Sequence, residues 1–475
     1  MTENELLEIG LIGLGVMGRN LVLNMSDHGY SVAGFDRDDS KIEQNKDDMV
    51  ERKVFYTAAY REFLKKLQKP RSIILLVPAG GPVDAVINEL LPYLEPDDLI
   101  IDAGNSHFID TNRRATALHA KKIKFIGMGV SGGEEGARFG PSIMPGGAQD
   151  AYDRVAEVLK AVSAKVGGDP CVTYLGPGSA GHYVKMVHNG IEYALMQLIA
   201  ETYDLLKLGL GLNNDELHEI YAEWNDSELS SFLIEITSKI FSKQDDKSDS
   251  RLIDKILDAA KQKGTGMWTT QDAMNLQVPI PTIDSAVAMR DLSACKPDRV
   301  KIEKILSGPE PKIKIDKKEF TQNLKNAFRF AMIIAYAQGM SLLRKASEKY
   351  EYNLNLKDVA KIWRGGCIIR SSFLEDIMLA FEKSPALHNL MTDPDISKVL
   401  IEKQAGLRAI LTAGIAAGIP VPGLSASLAY YDSFRRSRLP ANLIQAQRDF
   451  FGAHTYERID EKGVFHAEWE KIEGA

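Results

Sequence analysis

Residues 8–36 read EIGLIGLGVMGRNLVLNMSDHGYSVAGFD, and this stretch decides the fold of the first part of the chain. The apolar run Glu8–Leu14 predicts a strand, and the residues after Gly18 predict a helix. Between them lies a G-x-G-x-x-G turn made of Gly13, Leu14, Gly15, Val16, Met17 and Gly18. A glycine turn that opens a helix offers free N–H groups to a pyrophosphate. The stretch therefore predicts a dinucleotide-binding site.

Asp36 ends the second predicted strand, Ser31–Asp36, where the adenosine ribose of a bound dinucleotide lies. Its carboxylate suits the two ribose hydroxyls of NAD and repels the 2′-phosphate of NADP. Arg37 attracts that phosphate, although a solvated surface arginine is an equally good interpretation of this residue. The sequence therefore leaves NAD and NADP both open as cofactors.

The remaining pattern predicts an α/β Rossmann-like doubly wound domain, a large all-α domain and a C-terminal tail. Further strands are expected at Ser72–Val77, Leu99–Asp102 and Lys124–Met128, separated by helical stretches. Amphipathic helices dominate after Gly181. The predicted limits are 1–178 for the dinucleotide-binding domain, 179–434 for the helical domain and 435–475 for the tail.

A short pattern occurs twice in the predicted helical domain. Trp224 is followed by Ser-Ser-Phe-Leu at 230–233, and Trp363 is followed by the same four residues at 371–374. This indicates an internal duplication. The tail is rich in aromatic residues, which favours packing either on its own chain or on a second subunit.

Composition restricts the class of function. The net charge of -7 over 475 residues gives no general attraction to nucleic acid or acidic membranes, so an anionic substrate needs a local cluster of cations. Three widely spaced cysteines and an acidic N-terminus predict a cytoplasmic protein, and no metal site is expected. The uncharged stretch Ala409–Tyr431 contains Pro420 and Pro422, which predicts a buried helix end and a packed turn rather than a membrane span.

Residues His182–Asp204 predict one long helix that follows the glycine-rich turn Gly176–Gly181. On it, Lys185, His188, Asn189 and Glu192 stand at i, i+3, i+4 and i+7 and share one face. A salt-bridged surface stripe is one interpretation. The glycine turn and the mixture of residue types favour a substrate-facing surface.

Four runs resemble the 6-phosphogluconate dehydrogenase family, within the β-hydroxyacid dehydrogenase superfamily. They are Gly129–Arg138, His182–Tyr193, Trp363–Ser371 and Gln445–His454. The resemblance implies oxidative decarboxylation of 6-phospho-D-gluconate to D-ribulose 5-phosphate and CO2 with reduction of NAD(P). This reaction belongs to the pentose phosphate pathway and gluconate utilization.

The resemblance also implies a role for particular residues. Lys185 is the expected general base and Glu192 the general acid. The expected substrate contacts are Asn105, Ser131, Gly132, Gly133, His188, Asn189, Tyr193, Lys263, Arg290, Arg448 and His454. Arg448 and His454 are expected to come from the partner's tail in a homodimer. The expected cofactor contacts beyond the glycine turn are Asp36, Arg37, Asp38, Val77, Pro78, Ala79 and Asn105.

The chain departs from the family pattern at several positions. Asp36-Arg37-Asp38 replaces Asn-Arg-Thr, and Val77-Pro78-Ala79 replaces Val-Lys-Ala, so Asp36 and Pro78 favour NAD while Arg37 favours NADP. Gly15 stands where many relatives have alanine, and Met267 where many have lysine. Two alternative functions are a smaller dehydrogenase of the 3-hydroxyisobutyrate type and a catalytically silent NAD(P)-binding regulator. The length of the chain argues against the first, and the presence of both Lys185 and Glu192 argues against the second.

Overall fold

The structure is a computed structural model that describes residues 5–469. Its strands are β1 Ile9–Ile12, β2 Val32–Phe35, β3 Val54–Thr57, β4 Ser72–Leu75, β5 Leu99–Asp102, β6 Lys124–Ser131, β7 Ser142–Gly147, β8 Lys165–Val166, β9 Asp169–Pro170, β10 Tyr456–Glu457 and β11 Val464–Phe465.

Helices separate the strands and then fill the rest of the chain. In the first part they are α1 Val16–Asp27, α2 Asp39–Gln44, α3 Asp48–Glu51, α4 Tyr60–Lys65, α5 Gly81–Leu90, α6 Phe108–His119, α7 Gly133–Phe139 and α8 Gln149–Val162. Then follow α9 Ala180–Asp204, α10 Asn214–Asn225, α11 Phe232–Ser242, α12 Thr265–Asn275, α13 Pro281–Ala294, α14 Lys296–Glu303, α15 Lys317–Lys349, α16 Leu356–Trp363, α17 Phe373–Lys383, α18 Pro394–Ala416, α19 Pro422–Phe434 and α20 Ala441–Gly452. A π-helical turn, Leu205–Gly209, continues α9, and 3-10 turns lie at Leu91–Tyr93, Leu252–Lys255 and Leu390–Thr392.

Seven strands form one sheet in the order β3-β2-β1-β4-β5-β6-β7. All neighbours are parallel except β6 and β7, which are antiparallel. The order reverses between β1 and β4, which is the switch point where doubly wound sheets bind ligands. The predicted Rossmann-like fold is confirmed, and its five predicted strands are present. The sequence analysis missed β3 and β7.

Both faces of this sheet are covered, as its apolar strands require. Ile9 and Leu11 of β1 pack with Val22 and Met25 of α1 on one face. Ile12 points to the other face, where the buried residues include Phe63 of α4, Val83 and Ile87 of α5 and Leu118 of α6. The alternation along β1 therefore builds two separate apolar layers.

The helical part shows how the two short repeated patterns are related. Trp224 closes α10 before α11, and Trp363 closes α16 before α17; both rings are fully buried. Ser231 and Ser371 form an antiparallel bridge between the two copies, flanked by hydrogen bonds from Phe232 N to Arg370 O and from Ser372 N to Ser230 O. The internal duplication stays a prediction, as do the exact domain limits.

The chain divides into two compact units, one up to Ser427 and one from Leu428 onward. The uncharged stretch Ala409–Tyr431 contains the end of α18, a turn and then the first part of α19, so a second helix follows the predicted turn. None of the helices within residues 5–469 is long and apolar enough to cross a membrane.

Candidate active site

The glycine turn joins β1 to α1, and different surroundings explain why each of its three positions holds a glycine. Gly13 has φ +105°, and a Cβ there would lie 2.4 Å from Leu76 O. A Cβ on Gly18 would lie 1.8 Å from Gly13 O, so only glycine lets α1 start this close to the turn. No described atom lies within 4 Å of the Cβ position of Gly15. The turn therefore fits the close approach of a pyrophosphate to the backbone at a helix N-terminus.

Asp36 follows β2 and is tied to this turn. Its Oδ2 accepts a hydrogen bond from Leu14 N at 2.8 Å, and its Oδ1 accepts one from Asp38 N at 3.1 Å. Lys41 Nζ lies 2.9 Å from Asp36 Oδ2. Arg37 is exposed and pairs with Glu89 at 2.5 Å. Lys41 is a cation that the sequence analysis missed, and it offsets the charge of Asp36 where the ribose of a dinucleotide is expected.

A cavity of about 540 Å³ opens beside these residues. Its lining includes the predicted cofactor residues Gly13, Gly15, Asp36, Arg37, Val77 and Pro78, together with Lys41 and Tyr60. Predicted cofactor positions that follow β1, β2 and β4 are therefore gathered around one cavity at the switch point of the sheet. Its residues fit a dinucleotide.

Helix α9 begins against β6 and β7 through glycines. A Cβ on Gly129 of β6 would lie 2.4 Å from Lys185 Cβ, and one on Gly127 would lie 2.8 Å from His182 Nδ1. On β7, a Cβ on Gly146 would lie 2.3 Å from Gly181 N. Glycine within a strand is a signal for such close approach. These three residues hold the first turns of α9, and so Lys185, against the sheet.

Lys185 and Glu192 lie on the same face of α9, as predicted, and both are shielded from solvent. Lys185 is 5% exposed and the Glu192 side chain 19%. Burial lowers the pKa of Lys185, against the opposing effect of Glu192. Burial also raises the pKa of Glu192, against the effects of Lys185 and Arg290. The two shifts favour a neutral amine together with a protonated carboxyl, which are the forms a base and an acid need.

His188 lies between these two residues on α9. Its Nε2 is 3.4 Å from Ser131 Oγ, its Nδ1 is 3.0 Å from Asn189 Oδ1 and 3.8 Å from Glu192 Oε2. Burial and the neighbouring Lys185 lower the pKa of His188 well below its usual value. The neutral ring therefore links the end of β6 to the acid–base face, which is the face of α9 that carries Lys185 and Glu192.

Ser131, Gly132 and Gly133 form the turn between β6 and α7. Gly132 and Gly133 have φ +131° and +64°, and a Cβ on Gly132 would lie 2.5 Å from Gly366 O. The Trp363 ring stands edge-on to His188 at 5.5 Å. The segment around Trp363 and Gly366 thus supports the turn in which three substrate contacts are predicted, a role that was not assigned to it from the sequence.

The other end of the acid–base face carries an aromatic–cation pair. Arg290 of α13 lies over the Tyr193 ring with its Cζ 3.5 Å from the centroid, and its Nη1 donates to Lys261 O at 3.3 Å. A Cβ on Gly266 would lie 2.4 Å from the same ring. Asn189 Nδ2 donates to Thr265 Oγ1 at 3.1 Å. The first turn of α12 therefore lies against Tyr193 and Asn189, and the loop before it contacts Arg290.

The remaining predicted contacts are not brought into this cluster by any described interaction. Lys263 and Met267 are exposed in and after the loop that precedes α12, and Asn105 is exposed after β5. Arg448 lies on α20 and His454 follows it, both in the second compact unit. Their predicted roles stay predictions. Within residues 5–469, no group of three or more His, Cys, Asp or Glu side chains is arranged to hold a metal ion.

Comparison with known proteins decides the family. The model for the NAD binding domain of 6-phosphogluconate dehydrogenase matches residues 8–176, and that for its C-terminal domain matches residues 181–469. The chain belongs to the 6-phosphogluconate dehydrogenase family. The resemblance seen in the sequence is confirmed.

Individual members of the family match over almost their full length. The chain is 51% identical over 465 residues to the "6-phosphogluconate dehydrogenase, NADP(+)-dependent, decarboxylating" of Bacillus subtilis, covering 98% of this chain and 99% of that one. It is 52% identical over 467 residues to the decarboxylating 6-phosphogluconate dehydrogenase of Synechococcus elongatus, covering 97% and 99%.

A solved structure of this family has the same fold. It is the Plasmodium falciparum 6-phosphogluconate dehydrogenase, described as apo, with NADP+ and with 6-phosphogluconate. The TM-score is 0.94 at 44% identity, and the match covers 97% of this chain and all of that one.

Proposed function

We propose that the Lys185 face of α9 catalyses the oxidative decarboxylation of 6-phospho-D-gluconate, with Lys185 as general base and Glu192 as general acid. The observation that carries this proposal is the placement of an amine and a carboxyl, both shielded from solvent, on one face of α9, where burial lowers the pKa of the first and raises that of the second. We further propose a homodimer in which the tail of each subunit completes the active site of the other.

The overall reaction follows from the family and its decarboxylating members, with NADP or NAD as the oxidant. The prediction of an NAD(P)-dependent 6-phosphogluconate dehydrogenase is confirmed. The alternatives, a smaller β-hydroxyacid dehydrogenase or a silent regulator, do not hold.

In the first step of the proposed mechanism, neutral Lys185 takes the proton of the C3 hydroxyl. The nicotinamide, when bound, accepts the hydride that leaves C3. The product of this step is a 3-keto acid. Lys185, now protonated, donates a hydrogen bond to the ketone oxygen and draws electron density from it. A carboxylate β to a polarised ketone loses CO2, and the electrons of the broken bond form an enediol.

In the second half, Glu192 gives its proton to the carbon that becomes C1 of ribulose 5-phosphate. The oxygen that took the proton of Lys185 when the enediol formed gives this proton back to Lys185 as the ketone forms at C2. A positioned acid or base of this kind contributes about 10²–10⁴-fold to rate. Because Lys185 and Glu192 are two turns apart on α9, each can reach a different carbon of one extended substrate.

The length of the site supports a six-carbon phosphorylated acid. Residues Lys185 to Tyr193 span about 12 Å along the helix axis at its usual rise. Ser131, Gly132 and Gly133 lie at one end and are proposed to bind the carboxylate. Tyr193 and Arg290, with Lys263, are proposed to bind the phosphate at the other, because an arginine fork matches phosphate oxygens.

The proposed roles of the three parts of the chain follow the predicted domain limits. Residues 1–178 hold the cofactor, 179–434 hold the substrate and form the dimer, and 435–475 reach the partner. Helix α20 supports a docked tail, since it exposes Leu443, Ile444, Phe450 and Phe451. The three cysteines are free thiols, which supports a cytoplasmic location.

A subunit-mixing experiment tests the shared site. Lys185→Met and Arg448→Ala subunits, each inactive as homodimers, are mixed and their exchange is verified with differently tagged chains. If tails act in trans, the heterodimer has one intact site, made of Lys185 from one chain and Arg448 from the other. Activity should then recover to about half per heterodimer, from simple site counting. Verified heterodimers without activity would contradict the proposal.

A further inference from the structure

Asp449 of α20 has an unusual environment for a residue of the second compact unit. Its side chain is fully buried, although both its chain neighbours, Arg448 and Phe450, are exposed. The carboxylate accepts four hydrogen bonds. Oδ1 accepts from Thr455 N and His466 Nδ1, both at 2.9 Å, and Oδ2 accepts from Ala467 N at 3.0 Å and Trp469 Nε1 at 2.9 Å. These four donors fill the capacity of a carboxylate.

The charge on Asp449 is also favoured. Burial acts to raise its pKa, but the hydrogen bonds from His466, Ala467, Trp469 and Thr455 outweigh this effect and hold the pKa at about 2. The carboxylate is therefore ionised, and its hydrogen bonds are made to groups of its own chain. It is a support for neighbouring residues and not a contact for an anionic ligand.

The turn around His454 is held in a conformation that non-glycine residues rarely adopt. Ala453 has φ +49° and Thr455 has φ +60°, one on each side of His454. A β-branched residue such as threonine is seldom found with positive φ. Such strain persists only where surrounding contacts fix it, and it is found mostly at functional sites.

Asp449 supplies those contacts. Its carboxylate binds Thr455 N, and its own backbone oxygen accepts from Ala453 N at 2.9 Å. The same turn is linked to Arg448 through Gln445, which donates from Nε2 to Thr455 O at 2.5 Å and accepts from Arg448 Nη1 at 3.1 Å. Arg448 and His454 are thus oriented by one hydrogen-bonded network with Asp449 at its centre.

We infer that Asp449 is a positioning residue that presents Arg448 and His454 as a preformed pair of donors for the substrate phosphate. This inference rests on the proposed function, in which these two residues reach the partner's site. The pair would cost little to order on binding, because the turn is already fixed. Its loss should therefore weaken recognition of the phosphate and leave the chemistry at C3 unchanged.

The test is Asp449→Asn, an isosteric change that turns two acceptor positions into a donor. The KM for 6-phosphogluconate should rise by roughly tenfold or more, the effect of losing charge-assisted hydrogen bonds, while kcat changes much less. The rate measured with gluconate, which has no phosphate, should equal that of the wild-type enzyme. The matched control is Asp460→Asn, since Asp460 is exposed in the same unit and pairs only locally with Arg458. The control should leave both substrates unaffected.

Subunit mixing separates this inference from general misfolding. Asp449→Asn subunits should complement Lys185→Met subunits, because the intact Lys185 site would then use the intact tail. An equal loss with gluconate and 6-phosphogluconate, or failure to complement, would overturn the inference. If Arg448→Ala and His454→Ala leave the KM for 6-phosphogluconate unchanged, the proposed role of the tail in binding the phosphate is wrong. If those two raise the KM and Asp449→Asn does not, only the role of Asp449 is wrong.

Discussion

Lys185 is a buried amine that the fold keeps available for chemistry. Its stem is packed against Gly129, and its pKa is lowered by burial rather than by a dedicated cationic neighbour. Exposed lysines remain charged at neutral pH and cannot act as bases. The position of this residue at the sheet end of α9 thus supports its proposed role as a base.

Replacing Lys185 with methionine should abolish hydride transfer while preserving the fold. Methionine keeps most of the stem volume and removes the amine, so the C3 proton has no acceptor. Stopped-flow absorbance of the reduced nicotinamide measures the step directly. Lys345→Met, an exposed site on α15, is the matched control and should behave as wild type. Near wild-type turnover by folded Lys185→Met would show that another group is the base.

Glu192→Gln should reduce overall turnover by roughly 10²–10⁴-fold, the range for a positioned acid or base. The amide keeps the shape of the side chain but has no proton to give to the enediol. Ribulose 5-phosphate formation is the quantity to measure, with Glu223→Gln on the exposed face of α10 as control. An unchanged rate of formation would remove Glu192 from the mechanism.

We expect Asp36 and Lys41 to determine the balance between the two cofactors. With the ion pair between them, Asp36 repels a 2′-phosphate less than an isolated carboxylate would. We expect NAD to be used at least as readily as NADP. Asp36→Asn should shift the ratio of kcat/KM toward NADP by about tenfold or more, which is about 1.4 kcal/mol. Lys41→Gln should shift the ratio of kcat/KM toward NAD. If the wild-type enzyme strongly prefers NADP and Asp36→Asn leaves the ratio of kcat/KM unchanged, Arg37 determines the cofactor preference.

At the scale of elements, the contact of α9 with β6 and β7 positions the acid–base face. Gly129→Ala would place a methyl carbon 2.4 Å from Lys185 Cβ, so the helix or the strand must move. A displacement of about 1 Å near reacting groups costs roughly 10²-fold in rate, and we expect kcat to fall by that order. The free energy of unfolding should decrease by about 1–3 kcal/mol, as for overpacked sites.

The control for this change is Gly308→Ala. No described atom lies within 4 Å of the position of a Cβ on Gly308, so stability and kcat should both be retained. Urea unfolding and steady-state kinetics measure the two quantities. Wild-type kcat in Gly129→Ala would mean that close packing of α9 on β6 does not position Lys185.

Local signals made some of these elements predictable and left others hidden. The glycine turn and the face of α9 were predictable because both depend on spacing within a few residues. Strand β7 was missed because Pro145, Gly146 and Gly147 interrupt its apolar pattern. Gly127 and Gly129 within β6 carried a signal for close approach that was not used.

Contacts between distant parts of the chain were beyond prediction from one sequence. The support of Gly132 by Gly366 joins segments more than two hundred residues apart. The four donors to Asp449 come from two separate stretches of the last part of the chain, Thr455 and residues 466–469. Such networks follow from tertiary folding and carry no local pattern.

At the scale of the whole molecule, a cofactor cavity at the switch point of the sheet and a substrate face on α9 belong to one chain. Hydride transfer needs the cofactor cavity, and decarboxylation needs the substrate face. We therefore expect hydride transfer and decarboxylation to be coupled on one substrate. A product that is oxidised but keeps its carboxylate would not be expected from a site in which protonated Lys185 faces the new ketone.

The most direct measurement of this claim is the stoichiometry of the reaction with 6-phosphogluconate, run in parallel with NAD and NADP. Reduced nicotinamide, CO2 and ribulose 5-phosphate are quantified in the same samples. The account predicts equal amounts of all three with both cofactors. Reduced nicotinamide without an equal amount of CO2, or no turnover of 6-phosphogluconate with either cofactor, would contradict it.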